Sequence, residues 1–220
     1  MGEPGDLPCA QKADRIGIET IFFDFDGVLT LNERGSTTTI GVIRERYPDL
    51  SIEAIQGCYY HFHHELLLGK VTHLDIWADF CRCMGRDLDP AILQEAFSAT
   101  PLNQEVLQFA SGLATHYGVG IITDNAADRM AHLVAEHHLD ILFEPIVVSA
   151  HVGRLKDDPA LFEHALRLTG HRADECVFID NQARNLVVPA RLGFKTYLYD
   201  SQQRDTPRLR NQLAEWGIEV

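Results

Sequence analysis

Apolar residues in this chain fall into two patterns. Five short runs are predominantly apolar: IETIFFD (18–24), GVGIITD (118–124), PIVVSA (145–150), ECVFID (175–180) and KTYLYD (195–200). They are rich in β-branched and aromatic residues and short, as parallel strands covered on both faces are. Elsewhere apolar positions recur at helical spacing, in NQEVLQFASGLATHYG (103–118), AADRMAHLVAEHH (126–138) and DPALFEHALRLTG (158–170). In the last of these Asp158 reads as the N-cap, Pro159 as the first helical residue and Gly170 as the stop. Strands alternating with helices predict an α/β fold with a doubly wound parallel sheet.

One connection breaks the alternation. More than ninety residues separate the first predicted strand from the second, where a crossover needs about a dozen. Most of that segment has helical patterning: TTTIGVIRERY, SIEAIQGCYYHFHHELLLG, THLDIWADFCRCMG and DPAILQEAF. The reading is a core made of 17–35 and 101–220 with a helical insert at 36–100. The leading residues 1–16 are rich in Gly, Pro and charge, lack the apolar stretch of a signal peptide, and read as a flexible arm.

Composition narrows the function classes. The 220 residues are 45% hydrophobic and 23% charged, ordinary for a globular chain, with a formal net charge of −13. Nucleic acid and anionic membranes repel such a chain, and no Lys/Arg run offsets that. No apolar run approaches a membrane span. Cysteines at 9, 58, 81, 83 and 176 are odd in number and irregular in spacing. They argue against a disulfide framework and for a reducing, cytoplasmic setting. Cys81-x-Cys83 lacks the second pair that a structural metal site needs.

Chemistry gathers at the strand ends. Ligands of open parallel α/β sheets bind outside the carboxyl ends of the strands. Here those ends read Asp24, Thr123–Asp124, Ser149 and Asp180, three of the four with an acid. One such acid usually caps the next helix. Several crowded at one rim repel each other unless a cation lies among them. Mg²⁺ suits the place: it is hard and is held by one or two carboxylates with phosphate oxygens and water. Asp24 and Asp180 are the candidate carboxylate ligands, and the backbone carbonyl of Asp26 the third.

The segments DFDGVLT (24–30), IITDN (121–125), GRLKDDPALFEHAL (153–166) and ECVFIDNQARN (175–185) resemble, in order, the four motifs of the haloacid dehalogenase-like hydrolases. The likeness spans about residues 18–200 and is similar to the helical-cap branch that includes small bacterial sugar-phosphate phosphatases. It implies a Rossmann-like core of strand order 3-2-1-4-5 with a cap inserted after the first motif. It implies Asp24 as nucleophile, forming an aspartyl phosphate, and Asp26 as general acid and base. Members that break carbon–halogen bonds lack the second acid, because halide leaves without a proton. It implies Thr123, the backbone N–H groups of Asp124 and Asn125, and Lys156 as the phosphate site. Asp180–Asn181 departs from the paired acids usual in the fourth motif, so Asn181 either weakens the metal site or holds a metal-bound water. The side chain of Asp124 is expected to turn away from a phosphate.

The insert is expected to choose the substrate. His61 and His64 stand three apart without a third ligand at useful spacing, so they read as a polar helix face. Lys70, after Gly69, is a candidate cation for an anionic substrate, and a solvated lysine on the plainer reading. Tyr59, Tyr60, Phe62 and Trp77 read as packing within the insert. The resulting expectation is a Mg²⁺-dependent phosphatase of a small phosphorylated metabolite, a sugar phosphate being one candidate. The alternatives are a phosphomutase, which needs a second phosphate site that no Arg cluster in 36–100 supplies, and a weakly active regulatory protein on the same fold.

Overall fold

A computed structural model describes residues 17–220; the arm expected at 1–16 and Cys9 lie outside the described residues. Five strands form one sheet: β1 (Thr20–Phe23), β2 (Gly118–Thr123), β3 (Ile146–Val148), β4 (Cys176–Asp180) and β5 (Lys195–Leu198). All neighbours are parallel, in the order β3-β2-β1-β4-β5. The central β1 pairs Thr20 with Gly118 on one side and with Cys176 on the other.

Both faces of the sheet are covered, which is why the strands read as near-continuous apolar runs. Ile21, Phe23, Ile121, Val177 and Ile179 point to a core shared with α5 (Gln104–Leu113), α6 (Ala127–His137) and α11 (Thr206–Glu215). Phe22, Ile122 and Phe178 point the other way, onto α9 (Pro159–Thr169). Asp158 caps α9 by accepting from the Ala160 N–H at 2.9 Å, and Gly170 ends it with φ 73°, as the sequence predicts. Two strands end earlier than the apolar runs do. At β3, Ser149 is already the first residue of a short helix, α8 (Ser149–Val152). β5 stops at Leu198, before the tyrosine and aspartate that follow. Short helices α7 (Leu139–Leu142) and α10 (Val187–Leu192) complete the crossovers.

Between β1 and α5 the chain leaves the sheet and builds α1 (Gly35–Arg46), α2 (Ile52–Leu67), α3 (Trp77–Met84) and α4 (Ile92–Ser98). These helices have their own core, including Ile40, Ile43, Ile55, Tyr59, Phe80 and Ile92. The outgoing and returning chains are tied together: Leu31 N–H donates to Pro101 O at 2.8 Å and Asn103 N–H to Leu29 O at 2.9 Å. The helix expected over THLDIWADFCRCMG begins only at Trp77. Ahead of it, Asp75 accepts from the backbone and hydroxyl of Thr72 at 2.8 and 2.7 Å, a local turn that competes with helix.

The cysteine reading needs correction. α2 and α3 lie side by side, with Cα atoms of Cys58 and Cys83 5.8 Å apart and their sulfurs bonded, a separation suited to a disulfide. Cys81 and Cys176 are buried free thiols. Odd spacing in sequence could not reveal a pair brought together by helix packing. The bond also removes the cysteine argument for a reducing compartment. Among the described residues, no helix is long and apolar enough to cross a membrane.

Candidate active site

Directly after β1 the chain makes a tight turn that presents Asp24 and Asp26. Asp24 N–H continues the ladder, donating to Ile179 O at 2.8 Å, while its Oδ1 accepts from Phe25 N–H at 2.7 Å. Gly27 has φ +85°, which a residue with a Cβ rarely adopts. A Cβ there would also fall 2.2 Å from the Asn181 side-chain amide. The carboxyl ends of β1 and β4 are thus packed against each other through this glycine.

Lys156 is the electrostatic centre. Its side chain is 1% exposed. It pairs with Asp24 Oδ1 at 2.5 Å and Asp180 Oδ2 at 2.7 Å. Burial alone would depress its pKa, but the charges of Asp24, Asp180 and Asp124 outweigh that and raise it, so the ammonium persists. Burial and then the charge of Asp180 push the Asp24 carboxyl well above its usual range, against the pull of Lys156. Burial also raises Asp124, whose Oδ1 accepts from the Lys156 backbone N–H at 3.0 Å. That bond turns one Asp124 oxygen toward the Lys156 backbone, the orientation expected if it avoids a bound anion.

Asp180 is fully buried and fully committed. Oδ1 accepts from Gln182 N–H at 2.7 Å and Asn185 Nδ2 at 3.1 Å; Oδ2 accepts from Asn185 Nδ2 at 3.0 Å as well as from Lys156. The direct metal ligation expected of Asp180 from the sequence is carried forward as a proposal. Its neighbour has the reverse character: Asn181 Oδ1 is buried and has no hydrogen-bond partner.

Asp26 is held by its side chain. Arg129 on α6 donates Nη1 to its Oδ2 at 2.8 Å and Nη2 to its Oδ1 at 2.9 Å, and Asn125 Nδ2 adds a bond to Oδ2 at 2.9 Å. The Asn125 backbone N–H, expected to be an anion donor, instead meets Ser149 Oγ at 3.0 Å. Asn125 precedes α6, and its Oδ1 caps the Ala126 N–H at 3.1 Å. Thr123 ends β2, 1% exposed.

A cavity of about 370 Å³ brings Asp24, Asp26, Thr123, Asp124, Asn125 and Lys156 into one lining. Its far wall comes from the insert: Tyr59, Tyr60, His63, Leu66 and Leu67. Tyr59 and Tyr60 therefore face the cavity as well as packing within the insert. Burial, followed by the charge of His73, lowers the pKa of His63 and favours the neutral ring. Lys70 is exposed and outside this lining, as are the exposed His61 and His64. The fully buried Asp180 and the half-buried Asn181 are not part of this lining.

Among the described residues no three His, Cys, Asp or Glu converge as a metal cluster. A hard divalent cation needs less, because it retains water and substrate oxygens. The unpartnered Asn181 amide oxygen lies against the turn that carries Asp24 and Asp26. Asp24, the Asp26 carbonyl and Asn181 thus offer oxygen donors of the right kind.

The haloacid dehalogenase-like hydrolase family matches residues 18–193. This chain belongs to that family. It is 26% identical over 221 residues to bifunctional epoxide hydrolase 2 of Rattus norvegicus, covering 88% of this chain but spanning only 38% of that relative's length. Among solved structures, a family enzyme from Bacteroides thetaiotaomicron in complex with magnesium and inorganic phosphate superposes with TM-score 0.69. It is 19% identical and covers 88% of this chain and 100% of that one. An L-2-haloacid dehalogenase from Xanthobacter autotrophicus superposes with TM-score 0.61, at 16% identity, over 90% of this chain and 83% of that one. At these identities the structural likeness speaks for the fold, and the chain is a hydrolase of this superfamily by its family match.

Sequence reasoning missed Arg129, Asn185 and His73. Arg129 sits inside a helical stretch and His73 inside the insert, neither within a motif, while Asn185 closes the fourth motif segment but was given no role. Only the tertiary structure places Arg129 on Asp26, 103 positions away.

Proposed function

We propose that this chain is a Mg²⁺-dependent phosphatase that hydrolyses a small phosphate monoester through an aspartyl phosphate on Asp24. The observation that carries the reading is the carboxyl group of Asp26 in the same cavity as Asp24. An alkoxide leaving group needs a proton as its bond to phosphorus breaks; a halide does not. A carbon–halogen reading leaves Asp26 without chemical work. The relative crystallised with magnesium and inorganic phosphate supports the same side.

In this reading Asp24 attacks phosphorus through the oxygen not held by Phe25 and Lys156. Protonated Asp26 gives its proton to the departing oxygen. The resulting carboxylate then takes a proton from the water that attacks the phospho-enzyme, which restores both groups. Lys156 compensates the charge of Asp24 and of the incoming phosphoryl group, and Thr123 offers a hydroxyl to it. Asp24, Asp180 and the Asp26 carbonyl, with Asn181 beside them, would hold magnesium, which would supply positive charge for the phosphoryl oxygens. The insert wall leaves space for a leaving group of modest size, in keeping with a small sugar or polyol phosphate. Arg34 and Arg184 also line the cavity, but the insert helices α1–α4 contribute no arginine to it, whereas a mutase needs a second phosphate site in the insert.

The test is a panel of p-nitrophenyl phosphate, sugar phosphates and 2-haloacids, scored for phosphate and halide with and without Mg²⁺. Phosphate release that stops with chelator is expected. Halide release without phosphate release, or full turnover in excess chelator, would defeat the proposal.

A further inference from the structure

The turn after β1 explains how Asp26 reaches the cavity but not how its carboxylate is aimed. Three N–H groups do that. Two come from the planar fork of Arg129 and one from Asn125. A carboxylate has about four acceptor positions. Oδ2 takes two donors and Oδ1 takes one, so the remaining position is on Oδ1. Arg129 is itself 2% exposed and over-determined. Nη1 also donates to Asn125 Oδ1 at 2.9 Å, and the guanidinium carbon lies 5.8 Å from the centre of the Phe25 ring.

The same guanidinium touches both chains that lead into and out of the insert. Nη2 lies 3.5 Å from Thr100 Oγ1 on the returning chain. On the outgoing chain, a Cβ on Gly35 would fall 2.4 Å from Nη1 and 2.5 Å from the guanidinium carbon. Gly35, the first residue of α1, has no left-handed backbone to explain its lack of a side chain. Arg129 occupies that space.

We infer that Arg129 is a positioning residue: it orients Asp26 so that Oδ1 carries the transferred proton, and it ties that orientation to the seating of the insert at Gly35 and Thr100. The inference rests on the phosphatase reading. Loss of the fork frees the Asp26 side chain to rotate, and protonation of a poor leaving group suffers first. A good leaving group departs with little help.

The experiment compares single-turnover phosphorylation of Asp24 by a sugar phosphate and by p-nitrophenyl phosphate. Whichever sugar phosphate the wild-type protein accepts serves as the first probe. Arg129→Met is expected to lose about 10- to 100-fold with the sugar phosphate and clearly less with p-nitrophenyl phosphate, a part of the factor general acid catalysis supplies. Arg129→Lys keeps the charge without the fork and should show the same bias. Gly35→Ala should show it too, and add nothing in the Arg129→Met background, because both changes act through one contact. Melting curves of each variant separate this from unfolding. Equal losses with both substrates would overturn the inference while leaving the phosphatase reading standing. If wild-type protein takes up no phosphoryl group from any ester, that reading fails. The crystal structure of Arg129→Met then decides the positioning role: a rotated Asp26 carboxylate supports it, and an unmoved one overturns it.

Discussion

At the scale of single residues, the site is organised by one buried cation among three acids. Lys156 meets Asp24 and Asp180 through its ammonium and Asp124 through its backbone N–H. Breaking a buried pair from one side leaves charge without compensation and costs about 3–5 kcal/mol. Lys156→Met is therefore expected to be inactive and to melt at markedly lower temperature, and adding Asp180→Asn should recover part of the loss. A melting temperature that stays at the wild-type value would show that the acids are compensated elsewhere. Asp24 has the opposite sign. Its folded-state pKa lies above the unfolded value, so folding loses stability as pH rises through that interval. Asp24→Asn should accordingly abolish phosphoryl uptake while raising the melting temperature of the metal-free protein at neutral pH.

At the scale of elements, the question is how four helices without strands of their own stay on the sheet. α2 and α3 are stapled by Cys58–Cys83. The end of α2 rests on α8, where Ser149 Oγ donates to Leu67 O at 2.7 Å. The same Ser149 oxygen receives the Asn125 N–H, so the loop after β2 and the insert share one hydroxyl. A second latch joins α2, the α2–α3 connection and α6. Asp128 accepts from the backbone N–H and from Nδ1 of His73, both at 2.8 Å, and His73 Nε2 reaches the Tyr59 hydroxyl at 2.8 Å. Asp128 and Arg129 are adjacent on α6, one holding the insert and the other holding Asp26. Burial acts to raise the Asp128 pKa, but the hydrogen bonds and charge of His73 outweigh it and hold the carboxyl below 3.8. A depressed acid stabilises the fold above its unfolded pKa and loses that contribution as pH falls through the folded value. Asp128→Asn should thus lower the melting temperature at pH 7 by about 2–4 °C, a modest effect because the carboxylate is partly exposed. The difference from wild type should shrink as pH falls below the ordinary carboxylate range and the depressed Asp128 carboxyl takes up its proton. A gap that persists unchanged at pH 3 would assign the effect to packing instead.

At the scale of the whole molecule, a chain of net charge −13 gathers acids at one rim of its sheet. That arrangement is costly without cations, and the protein supplies one in Lys156. The second is proposed to be magnesium, on the side where Asn181 Oδ1 lacks a partner. A neutral amide there contributes a ligand atom without charge. Asn181→Asp is expected to tighten Mg²⁺ by about tenfold or more, close to 1.4 kcal/mol. Titration calorimetry and the Mg²⁺-dependent rise in melting temperature read this directly, since a ligand that binds only the folded state stabilises it by mass action. Unchanged affinity would move the metal away from this amide.

The sequence by itself determined the layers of this protein. Strand and helix periodicities are local, so β1 to β5 and the capped helix from Asp158 to Gly170 were legible, with boundaries blurred by a few residues at β3 and β5. Asp24, Asp26, Thr123 and Asn125 were legible as a group because each lies at or near a strand end, where a parallel sheet collects its loops; Lys156 was legible only through the family resemblance of its segment. What the tertiary structure decided are the partnerships. It gave Asp180 to Lys156, Asn185 and Gln182, left the Asn181 oxygen free beside Gly27, joined Cys58 to Cys83, and set Arg129 against Asp26. The Lys156–Asp180, Cys58–Cys83 and Arg129–Asp26 pairings join residues 24, 25 and 103 positions apart. No periodicity records them, because they depend on which helix faces meet after the chain has packed. The same physics that makes a strand readable from a handful of neighbours makes the aim of a carboxylate unreadable until its distant donors are in place.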